Sequence, residues 1–369
     1  MTSLLHTPLF TFHAAQGAKF AAFAGYEMPI QYPLGVKGEH LHTRAQAGLF
    51  DVSHMGQLWV RGPQATEALE RVVPAALREM QTGQIRYSQL TLENGGILDD
   101  LMLTKCSDDA WFLVVNGACK HADFAHLQAQ LPDSLSLQPL PEQALIAIQG
   151  PSARDALATV IPESATLPFM TARTCQWRGT EILVSCCGYT GEDGFEVSLP
   201  AALAMDFAEV LTALNATTWV GLGARNSLRL EAGLCLYGHD ITTDTTPVEA
   251  DLLWSIQARR RIEGGFLGAE VIQAQIAQGA TRKRVGIRPD DGKTPLRDDT
   301  LLVSLSGEPI GQITSGGFGP SVAGPVAMGY VDAAHQQAET PIIAHVRGRS
   351  LPCRVTSAVF FPPRYRRTL

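Results

Sequence analysis

Gly95-Gly96-Ile97-Leu98-Asp99-Asp100-Leu101-Met102-Leu103-Thr104 is the stretch on which the reading of this chain turns. Paired glycines punctuate the chain, and the apolar run behind them predicts a strand entered from a tight turn. Successive strand side chains point to opposite faces, so Asp99 and Asp100 are expected to serve different surroundings, one structural and one available to a site. Two readings stay open at this point. The stretch is a polar hairpin start with two solvated carboxylates, or its glycines let a ligand approach the backbone while one carboxylate faces it.

Outward from that stretch, thirty-four glycines and twenty-two prolines cut the chain into short runs. Residues 57–60, 101–103, 111–115, 181–185 and 195–199 are strand-like, whereas 65–73, 118–130, 201–214 and 223–234 carry helical spacing. Strands and helices in mixed order, without regular alternation, predict an α+β body and not a doubly wound sheet. Polar residues 275–284 read as a linker. Beyond them, strand-like runs at 301–304, 309–314, 341–346 and 354–360 predict a separate small all-β domain.

With 369 residues, 45% of them hydrophobic, the chain can fill two or three domain cores. A net charge of −7 argues against a nucleic-acid partner held by bulk electrostatics, although Arg259-Arg260-Arg261 and Arg282-Lys283-Arg284 are local basic runs. Seven cysteines, without Cys-x-x-Cys or finger spacing, read as reduced thiols, and no metal centre is expected. No apolar stretch has the length of a membrane span. The first residues, Met1-Thr2-Ser3-Leu4-Leu5-His6-Thr7-Pro8, show neither a signal-peptide nor a presequence pattern, so a cytoplasmic, bacterial-type location is expected.

Three further segments bear on chemistry. In Gly188-Tyr189-Thr190-Gly191-Glu192-Asp193-Gly194-Phe195-Glu196-Val197-Ser198 the glycine spacing fits neither a dinucleotide fold nor a phosphate loop. Alternation puts Phe195, Val197 and Leu199 on one face and Glu196 and Ser198 on the other, where Glu196 either receives paired ring donors or is an exposed acid beside a turn. Arg225 and Arg229 lie four apart in a helical pattern; like charges at that spacing repel, which implies an anionic ligand or a buried acid. Asp51-Val52-Ser53-His54 carries an acid, a hydroxyl and an imidazole, but the nucleophile elbow of a serine hydrolase is missing. Ser315-Gly316-Gly317-Phe318-Gly319-Pro320-Ser321 reads as another glycine loop.

Phe23-Ala24-Gly25-Tyr26, Leu49-Phe50-Asp51-Val52-Ser53-His54-Met55, residues 95–100, 188–196 and 224–237, and Ala327-Met328-Gly329-Tyr330-Val331 together resemble the aminomethyltransferase, or T-protein, family of the glycine cleavage system. The resemblance runs nearly end to end. It implies three domains in a cloverleaf around a central folate channel: residues 1–50 with about 140–275, residues 51–139 carrying the acidic pair, and a barrel at 282–369. It also implies transfer of a one-carbon unit from the aminomethyl-lipoyl arm of an H-protein to tetrahydrofolate, giving 5,10-methylenetetrahydrofolate, ammonia and dihydrolipoyl H-protein. Glycine decarboxylase and dihydrolipoyl dehydrogenase would be indirect partners through the H-protein.

By resemblance Asp100 is the catalytic carboxylate, orienting the folate nitrogen and stabilising positive charge as it develops. Glu196, Arg225 and Tyr365 are implied at the folate site, with Tyr87, Tyr189 and Met55 lining it. The basic runs would attract the H-protein or a polyglutamate tail. Two departures stand out: Asn226 where many members carry Asp, and Ser185-Cys186-Cys187 where an Arg is frequent. Two other readings keep the folate pocket, a tetrahydrofolate-dependent demethylase and a non-enzymatic iron-sulfur maintenance protein. The short motif of the latter, Lys-Gly-Cys-Tyr-x-Gly-Gln-Glu, is not matched by Cys186-Cys187-Gly188-Tyr189-Thr190-Gly191-Glu192.

Overall fold

The computed structural model describes residues 3–367. Its short β-branched and aromatic runs become strands because such side chains pack well on a pleated surface, and they assemble into two open sheets, a closed barrel and a hairpin. The six-stranded sheet runs Thr171–Trp177, Thr180–Cys186, Gly194–Pro200, Gln143–Gln149, Ala47–Asp51 and Thr217–Trp219, antiparallel except for the last pair. The five-stranded sheet is antiparallel throughout: Ile85–Thr91, Ile97–Ser107, Ala110–Val115, Gly56–Arg61 and Ser136–Pro139.

Side-chain alternation explains why the two sheets face each other. In Gln143–Gln149, Ala144, Ile146 and Ile148 fill the outer core of the six-stranded sheet, while Leu145 and Ala147 enter a layer between the sheets. Ala110–Val115 repeats the pattern: Trp111, Leu113 and Val115 face the outer core of the five-stranded sheet, and Phe112 and Val114 meet the same shared layer. Strands apolar on both sides must be covered on both sides. Glu196 lies on the face of its strand that looks into this layer, because Phe195, Val197 and Leu199 occupy the outer core. Its strand neighbour Ser198 donates across to Gln57 of the other sheet at 2.6 Å.

Helix Leu222–Glu231 follows the parallel edge strand and packs on strand Tyr26–Gln31 and on two barrel strands, Pro309–Gly319 and Gly324–Asp332. It therefore joins body and barrel. The barrel closes in the order Arg282–Pro289, Gly324–Asp332, Pro309–Gly319, Leu301–Val303, Pro341–Val346, Arg349–Thr356. The expected α+β body with an all-β barrel at its C-terminal end is what the chain forms.

Three local expectations are corrected. Residues 275–284 are no linker: helix Ala269–Gln278 buries Ile272 and ties Gln273 and Gln275 to the loops it packs on, Gly279 stops it at φ +88°, and the first barrel strand starts at Arg282. The glycine run at 315–319 is strand, paired through Gly319↔Gly324. A Cβ at Gly316 would stand 2.3 Å from the Leu296 carbonyl oxygen, so glycine is needed for close packing there, not for a loop. The last strand covers Arg349–Thr356 and ends before residues 357–360, four residues earlier than the apolar run suggests.

Candidate functional site

The acidic pair enters strand Ile97–Ser107 from a hairpin in which Gly95 N–H donates to Leu92 O, and Leu92 N–H to Gly96 O, both at 2.9 Å. The hairpin reading is therefore right for the backbone and wrong for the aspartates: Asp99 is fully buried and Asp100 partly so. Nor do the glycines make room for a ligand. A Cβ on Gly96 would lie 1.8 Å from the Thr243 carbonyl oxygen, so the space belongs to the chain's own loop, whose Thr242 and Thr245 carbonyls accept from Ile97 N–H.

Alternation also fails to separate the two carboxylates. Strand pairing ends at Leu101↔Val115, and the next residue, Asn116, sits beyond the end of its strand, where it reaches both. Its backbone N–H donates to Asp99 Oδ2 at 3.0 Å, and its Nδ2 donates to Asp99 Oδ1 at 2.9 Å and to Asp100 Oδ1 at 2.8 Å. One amide thus ties the pair into a single network. Tyr87, from the neighbouring strand, donates its hydroxyl to Asp100 Oδ2 at 3.0 Å. Burial first, and the Asp99 charge second, push the Asp100 carboxyl up to about 7, against the opposing pull of the Tyr87 and Asn116 donors. A carboxyl near neutrality can both hold and release a proton under ordinary conditions.

Across the layer are Glu196, on a strand of the other sheet, and Arg225, on helix Leu222–Glu231. Burial raises the Glu196 carboxyl and lowers the Arg225 guanidinium, and each opposes the other's shift through its charge. Arg225 Nη1 is buried without a partner, and its guanidinium lies over the Tyr189 ring at 4.7 Å. Tyr189 joins the two halves: its hydroxyl donates to Cys235 O and feels the charges of both Asp100 and Arg225. Met55 packs in the shared apolar layer with Leu145, Ala147 and Cys187. Glu196 has one side-chain donor among the described residues, the Cys187 thiol at 3.6 Å, whose own acidity burial suppresses strongly. The Cys187 departure therefore puts a thiol donor beside this carboxylate.

The structure separates the two arginines that spacing placed together. Arg229 is spent internally, pairing with buried Asp240 at 2.7 Å and donating to Ser315 Oγ at 3.0 Å and to Asn226 Oδ1 at 2.9 Å. The implied buried acid is thus Asp240 for Arg229, while Arg225 keeps a free donor. Tyr365 stands apart from these groups: it stacks on Phe169 with centroids 3.9 Å apart, and Phe169 is followed by Met170 at the edge of the shared layer. The basic runs are occupied within the chain. Arg259 binds Glu70, Glu79 and Glu263, Arg261 donates to backbone carbonyls, Arg282 pairs with Glu249 and Lys283 with Asp251.

Asp51, Ser53 and His54 make no triad, since Asp51 Oδ2 pairs with His13 at 3.0 Å and Ser53 binds the Leu145 backbone. His54 is buried, its Nδ1 lacks a partner, and burial together with the Arg225 charge lowers its pKa to about 4, so it is a neutral imidazole. Sequence reasoning missed Asn116 and Asp123. The signal for Asn116 was present: an Asn-Gly pair closes the apolar run antiparallel to the acidic strand. All seven cysteines are free, no described helix is long and apolar enough to cross a membrane, and among the described residues no group of His, Cys, Asp and Glu is arranged to hold a metal ion.

Comparison with known proteins gives the same picture over the whole chain. Residues 9–260 match the GCVT N-terminal domain family, and residues 282–362 match the glycine cleavage T-protein C-terminal barrel domain. The mitochondrial aminomethyltransferase of Dictyostelium discoideum is 40% identical, covering 99% of this chain and 94% of its own. That of Gallus gallus is 40% identical over 98% of this chain and 94% of its own. The crystal structure of glycine cleavage system aminomethyltransferase T from Bartonella henselae is similar with a TM-score of 0.93 and 44% identity, covering 98% of this chain and 99% of that one. The mitochondrial curated relatives overturn the cytoplasmic location expected from the first residues.

Proposed function

The chain belongs to the glycine cleavage T-protein family and is an aminomethyltransferase of that system, and from this premise we propose the finer chemistry. The one-carbon unit passes from an aminomethyl group on the lipoyl arm of an H-protein to tetrahydrofolate, yielding 5,10-methylenetetrahydrofolate, ammonia and the dihydrolipoyl partner. The relatives' names favour this reading over a demethylase or an iron-sulfur maintenance protein. We assign the body to two facing units, residues 52–139 against 3–51 with about 140–275, and the barrel to 282–356; Asp51 ends a strand of the six-stranded sheet and goes with that sheet.

The observation that carries the proposal is the unspent polarity on the two faces of one buried layer. Arg225 Nη1 has no partner and Glu196 only a thiol, while Asp100 is held opposite by Tyr87 and Asn116. A pterin offers ring donors that suit Glu196, and the Tyr189, Tyr87 and Met55 side chains suit its flat apolar faces. Tetrahydrofolate, when bound, supplies the nucleophilic nitrogen. The chain's own work is positional and electrostatic. Asp100, as a carboxylate, accepts a hydrogen bond from that nitrogen and stabilises positive charge at the carbon in transit. Holding both reactants in one dry layer contributes several kcal/mol more, on the order of 7 in well-oriented systems. To Tyr365, stacked on Phe169, we assign a contact with the outer part of the folate.

The test mixes aminomethyl-loaded H-protein, tetrahydrofolate and this protein, and follows methylenetetrahydrofolate and ammonia. Asp100→Asn should lower kcat by about 100-fold or more with KM for tetrahydrofolate little changed. Equal losses in kcat and in folate binding would reject the catalytic role of Asp100.

A further inference from the structure

Asp123 projects from helix Lys120–Gln130 into the back of the acidic pair, fully buried, with neither carboxyl oxygen matched to an N–H or O–H donor of another residue. After burial, the strongest influence on it is the charge of another carboxyl, that of Asp99. Two carboxyls cannot share a hydrogen bond unless one of them carries a proton, since ionised carboxylates only accept. Asp99 is the one equipped to be the anion: both of its oxygens already accept from Asn116, at 3.0 and 2.9 Å. Asp123 has no such donors and lies against Asp99's charge. The remaining proton therefore belongs on Asp123.

We propose that Asp123 is a neutral carboxylic acid whose O–H is donated to the Asp99 carboxylate, and that this proton keeps Asp99 as the fixed anion that sets the proton affinity of Asp100. Asp123 and Asp99 are on this view positioning residues: the acid satisfies Asp99, Asn116 locks Asp99 and Asp100 into one orientation, and the Asp99 charge makes Asp100 a better proton acceptor. The titratable groups around Asp100 are Asp99 on its own strand, Tyr87 on the next, Cys119 and Asp123 at the helix, Tyr189 in the loop before strand Gly194–Pro200, and Cys235 and Tyr237 beyond helix Leu222–Glu231. The cation on that side is Arg225, whose charge acts on Glu196 and Tyr189, and Asp99 remains the largest charge acting on Asp100. Burial and the Asp99 charge push the Asp123 carboxyl up to about 10, which agrees with the hydrogen-bond assignment. The inference deepens the role given to Asp100 above and rests on it.

Two measurements test it separately. Infrared difference spectroscopy of the whole protein, at about pH 9 where Asp100 is ionised, should show a protonated-carboxyl carbonyl band that Asp123→Asn abolishes. No substrate is needed, so this arm stands or falls independently of the reaction; a missing band overturns the neutral Asp123. The second arm is the acid limb of kcat/KM for aminomethyl transfer. Asp99→Asn should move it about 1 to 2 pH units lower, because a contacting like charge is removed. Asp123→Asn, whose amide can still donate to Asp99, should leave the limb in place, and Asp123→Leu, which cannot, should shift it in the direction of Asp99→Asn. If Asp99→Asn leaves the limb unmoved, or Asp123→Asn shifts it as far as Asp99→Asn does, the coupling is wrong. A merely structural pair would alter stability and rate without moving the limb. Should Asp100→Asn retain full turnover, the catalytic reading fails while the infrared result still decides where the proton resides.

Discussion

Replacing Tyr87 by Phe removes one hydroxyl and keeps the ring that stacks on Trp254 at 5.3 Å, so it isolates the 3.0 Å hydrogen bond to Asp100 Oδ2. That bond favours the ionised carboxylate and holds Asp100 below the value that burial and Asp99 would otherwise impose. Hydrogen bonds to charged groups contribute about 1.5–3 kcal/mol, and 1.36 kcal/mol corresponds to one pKa unit, so the loss should raise Asp100 by about 1 to 2 units. The sign follows directly: a higher pKa means less carboxylate at neutral pH, and activity that returns as the pH rises. Starting from about 7, the wild-type group is roughly half ionised at pH 7, and the variant roughly a tenth to a hundredth. The expected deficit in kcat/KM is therefore about 5- to 50-fold at pH 7, shrinking to about 2-fold or less at pH 9. Initial rates of methylenetetrahydrofolate formation across that range, at subsaturating tetrahydrofolate, measure it. A deficit of the same size at both ends would refute the reasoning, because lost packing or lost folate affinity does not recover with alkali.

Two further outcomes are expected. Gly96→Ala brings a Cβ to 1.8 Å from the Thr243 carbonyl oxygen, where only backbone can move, and should cost about 1–3 kcal/mol or more in urea unfolding. Gly324→Ala meets nothing closer than 3.8 Å and is the control; equal costs would mean that the loop yields freely. Arg225→Gln removes the unpartnered buried donor and should raise KM for tetrahydrofolate about 10-fold or more with a smaller change in kcat. An unchanged KM would take Arg225 out of the binding site.

Much of the fold was legible from local pattern. Strand Gly194–Pro200 follows simple alternation, with Phe195, Val197 and Leu199 in the core and Glu196 on the opposite face, because burial of one face leaves the register no freedom. The barrel was legible as strand-rich composition but not in its edges: the start of strand Arg282–Pro289, Arg282-Lys283-Arg284, was read into the linker at 275–284, and it is polar because Arg282 and Lys283 spend their charges on Glu249 and Asp251. Glycines misled twice. At Gly96 and Gly316 the missing Cβ makes room for the chain's own carbonyls, and a sequence does not say which neighbour will occupy the space.

The site divides along the same line. The candidate residues Asp100, Glu196, Arg225, Tyr189 and Met55 lie in motifs that are contiguous in sequence and carry their chemical type with them, whereas Tyr87 and Tyr365 were named only through the family resemblance. What each residue does with its neighbours depends on contacts between distant segments. Arg225 and Arg229 are equivalent by spacing, yet Asp240 neutralises one and leaves the other with a free donor. Asp99 and Asp100 belong on opposite faces by alternation, yet Asn116, lying just past the end of the partner strand, binds both, and Asp123 arrives from a helix to share a proton with one. Sequence alone determined which groups are present and which strand carries them, since periodicity and residue type are local properties. Only the tertiary structure decided which carboxyl holds a proton and which cation stays unpaired, because burial and charge act through space between segments that the chain order keeps apart.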